Sequence, residues 1–137
     1  MVADIVEARV ADAGLTDRVA VVAADAMADP IPTGHDVFLV ANLLPYWSPQ
    51  TNTTLLHRIG EAAPGGARFL LADFWTDAAH TGPVFAALMA GEFAVHLKDG
   101  DVYSVDEVRE WLPDAGWRYV DHRPLAGPQS LIVADTD

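Results

Sequence analysis

The sequence predicts an α/β fold, and three observations carry that prediction. Runs rich in β-formers and apolar throughout, at residues 19–24, 37–41 and 68–72, read as strands buried on both faces. Between the last two lies a segment with Leu55, Leu56, Ile59, Ala62 and Ala63 at helical spacing. The chain closes with two further strands near each other in sequence, 117–122 and 130–135. The expected sheet is therefore mixed, with an antiparallel pair at its carboxyl end.

Taken in order, the chain opens with Val2, Ile5, Val6 and Val10 at helical spacing, and Gly14 is a plausible stop. Strand 19–24 follows and Asp25 ends it. Residues 28–34 form a turn-rich loop. Strand 37–41 runs into a polar loop at 42–47. Ser48 is placed to cap the next helix, Pro49 fits its first turn, and Pro64-Gly65-Gly66 stops it. Strand 68–72 ends in a carboxylate, Asp73. A strand, a crossover helix and a parallel strand make one βαβ unit. In open parallel sheets ligands sit beyond the carboxyl ends of the strands. Chemistry is therefore expected at loop 42–47 and Asp73.

Residues 74–83 carry no regular pattern. Val84, Phe85, Leu88, Met89 and Phe93 form another apolar helical stripe, and residues 98–101 form a turn. Ser104 with Glu107 is a capping box opening a helix through Val108, Trp111 and Leu112. Pro113 falls near its end and Gly116 is the expected stop. There is no internal repeat, no low-complexity tract and no linker dividing two domains.

Composition sets the outer limits. The 137 residues suit one domain with one core. A 51% apolar content argues against disorder. The absence of cysteine excludes a disulfide framework and a thiolate metal site. His35, His57, His80, His96 and His122 show no i, i+4 pair and no metal-ligand spacing, so no metal is expected. No serine sits in a nucleophile-elbow context. The net charge of −12 argues against binding nucleic acid. No apolar run is long enough to cross a membrane. The amphipathic, acid-bearing amino end does not resemble a signal peptide, and the default expectation is a cytoplasmic location.

Three pieces, AGLTDRVAVVAAD, LLPYWSPQTNTTLLHRIGEAAPGGARFLLAD and SVDEVREWLPDAGW, cover most of the chain. Their order and spacing resemble the second half of a class I, S-adenosylmethionine-dependent methyltransferase fold. More narrowly, they resemble the small-molecule O-methyltransferases of plants and of bacterial natural-product pathways. The resemblance implies the carboxyl-terminal part of a Rossmann-like methyltransferase domain. It also implies that Asp25, with Ala26 beside it, contacts the adenosine of the cofactor, and that Trp47 lies next to it. Asp73 stands where many members carry the carboxylate that orients a catalytic histidine. Tyr46, Met89 and Phe93 become candidates for walls of an acceptor pocket. Each also has a plain reading: a turn opener for Asp25, core for Trp47, Met89 and Phe93, and a strand-end carboxylate satisfied by loop amides for Asp73.

Two departures from the family pattern matter. The family's general base is a histidine in the loop after the fourth strand, and the matching position here is Pro45. Asp73, His80 and His96 are the remaining candidates to take a proton. The second departure is that no Gly-x-Gly occurs anywhere. The glycine-rich strand and turn that hold the cofactor, the strand after them and the family's amino-terminal dimerisation domain have no counterpart in the sequence. In the family's sheet the missing strands lie between 19–24 and 37–41, which leaves both runs with an unpaired edge. The expectation is a second polypeptide or a further amino-terminal segment carrying the glycine-rich half. Exchange of elements in a homo-oligomer is the alternative, but it cannot supply a glycine turn the sequence does not encode. The expected activity is methyl transfer to a hydroxyl of a small natural-product-like acceptor. The alternatives are a non-methylating enzyme of cyclase type and a non-catalytic regulatory or stabilising subunit.

Overall fold

The computed structural model describes residues 2–137, which divide into two compact units, 2–30 and 31–137. In the first unit the expected amino-terminal helix forms as α1 (Val2–Asp12), and Gly14 turns the chain at φ +66°. The strand expected at 19–24 does not form. That run carries no sheet ladder, and Val22 is 68% exposed. Apolar β-formers favour extension, yet a strand exists only with a partner, and none is present among the described residues. A groove of 670 Å3 in this unit is lined by Val2 and Val6 of α1 and by residues 21–25.

The second unit holds four strands and three helices: β1 (Val37–Ala41), α2 (Pro49–Ala62), β2 (Arg68–Asp73), α3 (Val84–His96), α4 (Val105–Trp111), β3 (Arg118–Pro124) and β4 (Ser130–Asp135). The sheet order is β1-β2-β4-β3. β1 and β2 are parallel, with Val37 opposite Arg68, so the βαβ unit forms as expected. β4 runs antiparallel to both β2 and β3, giving the mixed sheet.

Local chemistry explains the boundaries. Ser48 caps α2 by accepting from the Thr51 amide at 3.2 Å, and Pro49 occupies the first turn. Ser104 and Glu107 close the capping box that opens α4. Pro113 starts a short 3-10 turn, Pro113–Ala115, and Gly116 follows at φ +82°. The core gathers Leu55, Leu56 and Ile59 of α2, Phe69 and Leu71 of β2, Ile132 and Ala134 of β4, and Val108, Leu112 and Trp117. Trp117 packs on Phe69 at 4.9 Å between ring centroids, and its Nε1 donates to the Leu56 carbonyl at 3.2 Å. Gly60 lets α2 approach the Pro113–Ala115 turn; a Cβ there would lie 2.2 Å from the Ala115 carbonyl oxygen.

The stripe on α3 corrects a second expectation. The helix forms, but only Ala86 is buried, while Val84 and Leu88 are 75% and 68% exposed. Helical spacing predicts a helix with an apolar face. It does not dictate what that face packs against, and here most of it points outward. β1, at the sheet edge, likewise exposes Val37 and Leu39.

Candidate active site

The carboxyl ends of β1 and β2 bring the expected loop and the expected carboxylate together. Asn42 leaves β1 in the left-handed region, φ +52°, which asparagine tolerates, and its amide donates to the Ala72 carbonyl at 3.0 Å. A single 3-10 turn, Leu44–Tyr46, follows, with Leu44 and Pro45 buried. Asp73 ends β2 and is 2% exposed. Its Oδ1 accepts from the Phe74 amide at 2.9 Å, and the Leu43 amide of the loop also favours the ionised carboxylate. Oδ2 is buried with no hydrogen-bond partner. Burial pushes the Asp73 carboxyl up to about 6, against the smaller opposing effect of the two amides. One expected loop amide is therefore present at Oδ1, while Oδ2 has no partner.

Residues far apart in sequence hold the loop in shape. Asn52 of α2, fully buried, donates through Nδ2 to the carbonyls of Leu44 at 2.9 Å and Trp47 at 3.2 Å. The Tyr103 hydroxyl donates to the same Trp47 carbonyl at 2.5 Å. Burial, with Asp101 and Glu107 nearby, pushes that phenol up to about 12, so it stays a donor. The Gln129 amide donates to Asn42 Oδ1. Gly100 lies against the Pro45 carbonyl, where a Cβ would approach to 2.2 Å. No single-residue motif marks Asn52, Tyr103 or Gln129, because their roles depend on contacts between distant segments.

Among the remaining candidates, Tyr46 and Phe93 meet at 5.6 Å between ring centroids, so two of the three proposed pocket walls share one surface. Met89 is half-buried one turn earlier on α3, and Trp47 is half-buried in the loop. His80 and His96 have other partners. His80 Nε2 lies 3.0 Å from Glu107, and His96 Nδ1 is bonded to the Glu92 carbonyl at 3.0 Å, with the Glu92 carboxylate at 3.3 Å. Pro45 offers no titratable group, which leaves Asp73 as the buried acceptor at this end of the sheet. In the first unit, exposed Asp25 opens a turn: its Oδ1 accepts from the Met27 amide at 2.8 Å and its own amide donates to Asp29 at 2.7 Å. Ala26 lies inside that turn, half-buried. No cluster of metal-ligating side chains occurs among the described residues.

Comparison with known proteins gives these observations a family context. Residues 1–118 match an O-methyltransferase domain. Over 120 residues the chain is 38% identical to 3-hydroxy-5-methyl-1-naphthoate 3-O-methyltransferase of Streptomyces sahachiroi, covering 88% of this chain and 34% of that one. It is 28% identical over 123 residues to PigF of Serratia sp., an S-adenosyl-L-methionine-dependent methyl transferase, covering 89% of this chain and 35% of that one. Among solved structures, an O-methyltransferase family 2 protein from Planctomyces limnophilus in complex with apigenin superposes with a TM-score of 0.91 at 29% identity, covering 98% of this chain and 39% of that one. The chain spans about a third of the length of the curated relatives it matches.

Proposed function

This chain belongs to the O-methyltransferase domain family, and from that premise we propose that it forms the acceptor-side part of a methyl transfer from S-adenosylmethionine to a hydroxyl of a small natural-product-like molecule. The observation that carries the reading is Asp73: a buried carboxylate at a strand end, beside the loop, with one oxygen unpartnered. Such an oxygen is suited to accept a hydroxyl proton. Tyr46, Phe93 and Met89 would hold the apolar body of the acceptor. When bound, S-adenosylmethionine supplies an electrophilic methyl group on a cationic sulfonium.

The residues present fit that cofactor in part. Half-buried Trp47 offers an apolar surface in the loop after β1, and in the other unit Asp25 remains the candidate for the adenosine. No Gly-x-Gly turn is encoded, so the rest of the cofactor site falls to another segment or chain. The same segment would pair with the exposed edge at β1, and the open run at 19–24 is its second expected partner. A homo-oligomer remains the alternative arrangement.

Asp73 is a better base here than an ordinary carboxylate. Moving its pKa from 3.8 to about 6 narrows the gap to a phenol near ~10 by about 2 units, roughly 3 kcal/mol. The gap that remains is met by positioning the acceptor hydroxyl in line for transfer. A second reading, a non-methylating enzyme or a stabilising subunit, draws its support from Pro45, where the family carries its base.

The test is methyl transfer by the completed protein to hydroxylated aromatic acids, followed by mass spectrometry. Asp73→Asn should slow turnover roughly tenfold to a hundredfold, with His80→Ala and His96→Ala near normal. Abolished turnover in either histidine variant, beside a normal Asp73→Asn, would overturn the assignment of the proton to Asp73. Cofactor binding without transfer to any acceptor would favour the second reading.

A further inference from the structure

Tyr103 reaches both sides of the site, one with each end. Its hydroxyl donates at 2.5 Å to the Trp47 carbonyl, in the loop after β1. Its backbone carbonyl accepts at 3.0 Å from the amide of Thr76, on the chain just past Asp73. The residues around it repeat the pattern. Gly100 lies against the Pro45 carbonyl, on the loop side. On the other side the Val102 carbonyl accepts from the Thr76 hydroxyl at 3.3 Å, and Ser104 forms a parallel bridge with Thr76. Further along, Glu107 meets His80 at 3.0 Å. Segment 100–107 therefore holds loop 42–47 with one set of contacts and segment 74–83 with another.

Tyr103 is itself fixed. It is 3% exposed, between buried Val102 and Ser104. The Trp111 ring of α4 meets its ring edge-on, at 5.0 Å between centroids. The Trp47 carbonyl it holds has two lone pairs. The Asn52 amide donates to the same oxygen at a longer 3.2 Å. Asn52 lies on α2 and ties the loop to the helix that follows it. Of these two donors, only Tyr103 ties the loop to the chain after Asp73.

We propose that Tyr103 is a positioning residue that sets the spacing between loop 42–47 and Asp73. This rests on the reading of Asp73 as the group that takes the acceptor's proton. Tyr103 is buried and touches no acceptor; it acts through the Trp47 carbonyl. Tyr46, which shares a surface with Phe93, directly precedes Trp47. A shift of that carbonyl therefore moves a wall of the acceptor pocket relative to the carboxylate. An acceptor hydroxyl displaced from Asp73 gives up its proton less readily, and in-line transfer depends on the same placement. The loss falls hardest on weakly acidic acceptors, which need the base most.

The test is Tyr103→Phe, which removes the hydroxyl and keeps the ring against Trp111 and the backbone bond to Thr76. NMR relaxation on the full chain reads the brace without any ligand. Backbone order parameters at residues 44–47 should fall from about 0.85 toward about 0.6, with those of α2 and β2 unchanged. Order parameters at 44–47 that match wild type would overturn the proposal. In the completed protein, Tyr103→Phe should slow methyl transfer roughly tenfold for a weakly acidic acceptor and about twofold or less for an acidic one. A plain loss of folded protein lowers both rates alike, so equal slowing would overturn it too. In an Asp73→Asn background the added Tyr103→Phe change should no longer discriminate between the two acceptors. Discrimination that persists there would show that Tyr103 does not act through the spacing to Asp73. A loosened loop in a completed protein that transfers no methyl group would sink the functional reading and leave the brace standing. Methyl transfer with an unmoved loop would sink the brace alone.

Discussion

Removing the charge from Asp73 should change stability relative to wild type by an amount that shifts in the variant's favour as pH rises. The folded-state pKa is about 6 against an ordinary value of 3.8. The folded state therefore binds this proton more tightly than the unfolded chain does. Its stabilising contribution is complete below about pH 3.8, declines as pH rises to about 6, and is lost above that. That difference corresponds to about 3 kcal/mol, most of which falls between pH 4 and pH 7. Asp73→Asn preserves the shape and cannot ionise. Its unpaired amide protons carry a penalty, but the same one at every pH. Other carboxyls, such as Glu107 and Asp135, are held below their usual values and titrate in the opposite sense. The difference between wild type and variant cancels them. Urea unfolding at pH 4, 5, 6 and 7 should show the difference moving in favour of Asp73→Asn by about 2 kcal/mol or more across that range. A difference that stays constant from pH 4 to pH 7 would refute the buried, unpartnered carboxylate.

Three further outcomes follow from particular contacts. Gly60→Ala should destabilise the chain by roughly 1–3 kcal/mol in the same unfolding assay, because its Cβ would lie 2.2 Å from the Ala115 carbonyl. Ser104→Ala removes the capping box of α4 and should lower stability by about 1–2 kcal/mol, as denaturant midpoints will show. Pro45→His should leave methyl transfer unchanged for acidic acceptors and equal or faster for weakly acidic ones; a steady-state comparison of two acceptors differing in pKa checks it.

The parts of the fold legible in the sequence are those written locally. Ser48 and Pro49 start α2 and Pro64-Gly65-Gly66 follows its end, so the βαβ unit around β1 and β2 could be read residue by residue. The meeting of Asp73 with loop 42–47 is legible too, because both lie at the carboxyl ends of adjacent parallel strands. The run at 19–24 was not, because β-propensity describes willingness to extend and says nothing of a partner. The direction faced by α3 was hidden for the same reason: Val84 and Leu88 mark an apolar face but not its cover. The supports of the site, Asn52, Tyr103 and Gln129, depend on loop contacts. Those join residues up to 87 positions apart, which no local pattern encodes.

If this chain forms only the acceptor side of a methyltransferase site, calorimetric titration with S-adenosylmethionine should give no binding by the chain alone and saturable binding once the chain is combined with a segment carrying a glycine-rich strand and turn. Saturable binding by the chain alone, or none in the combination, would refute the proposed division of the site.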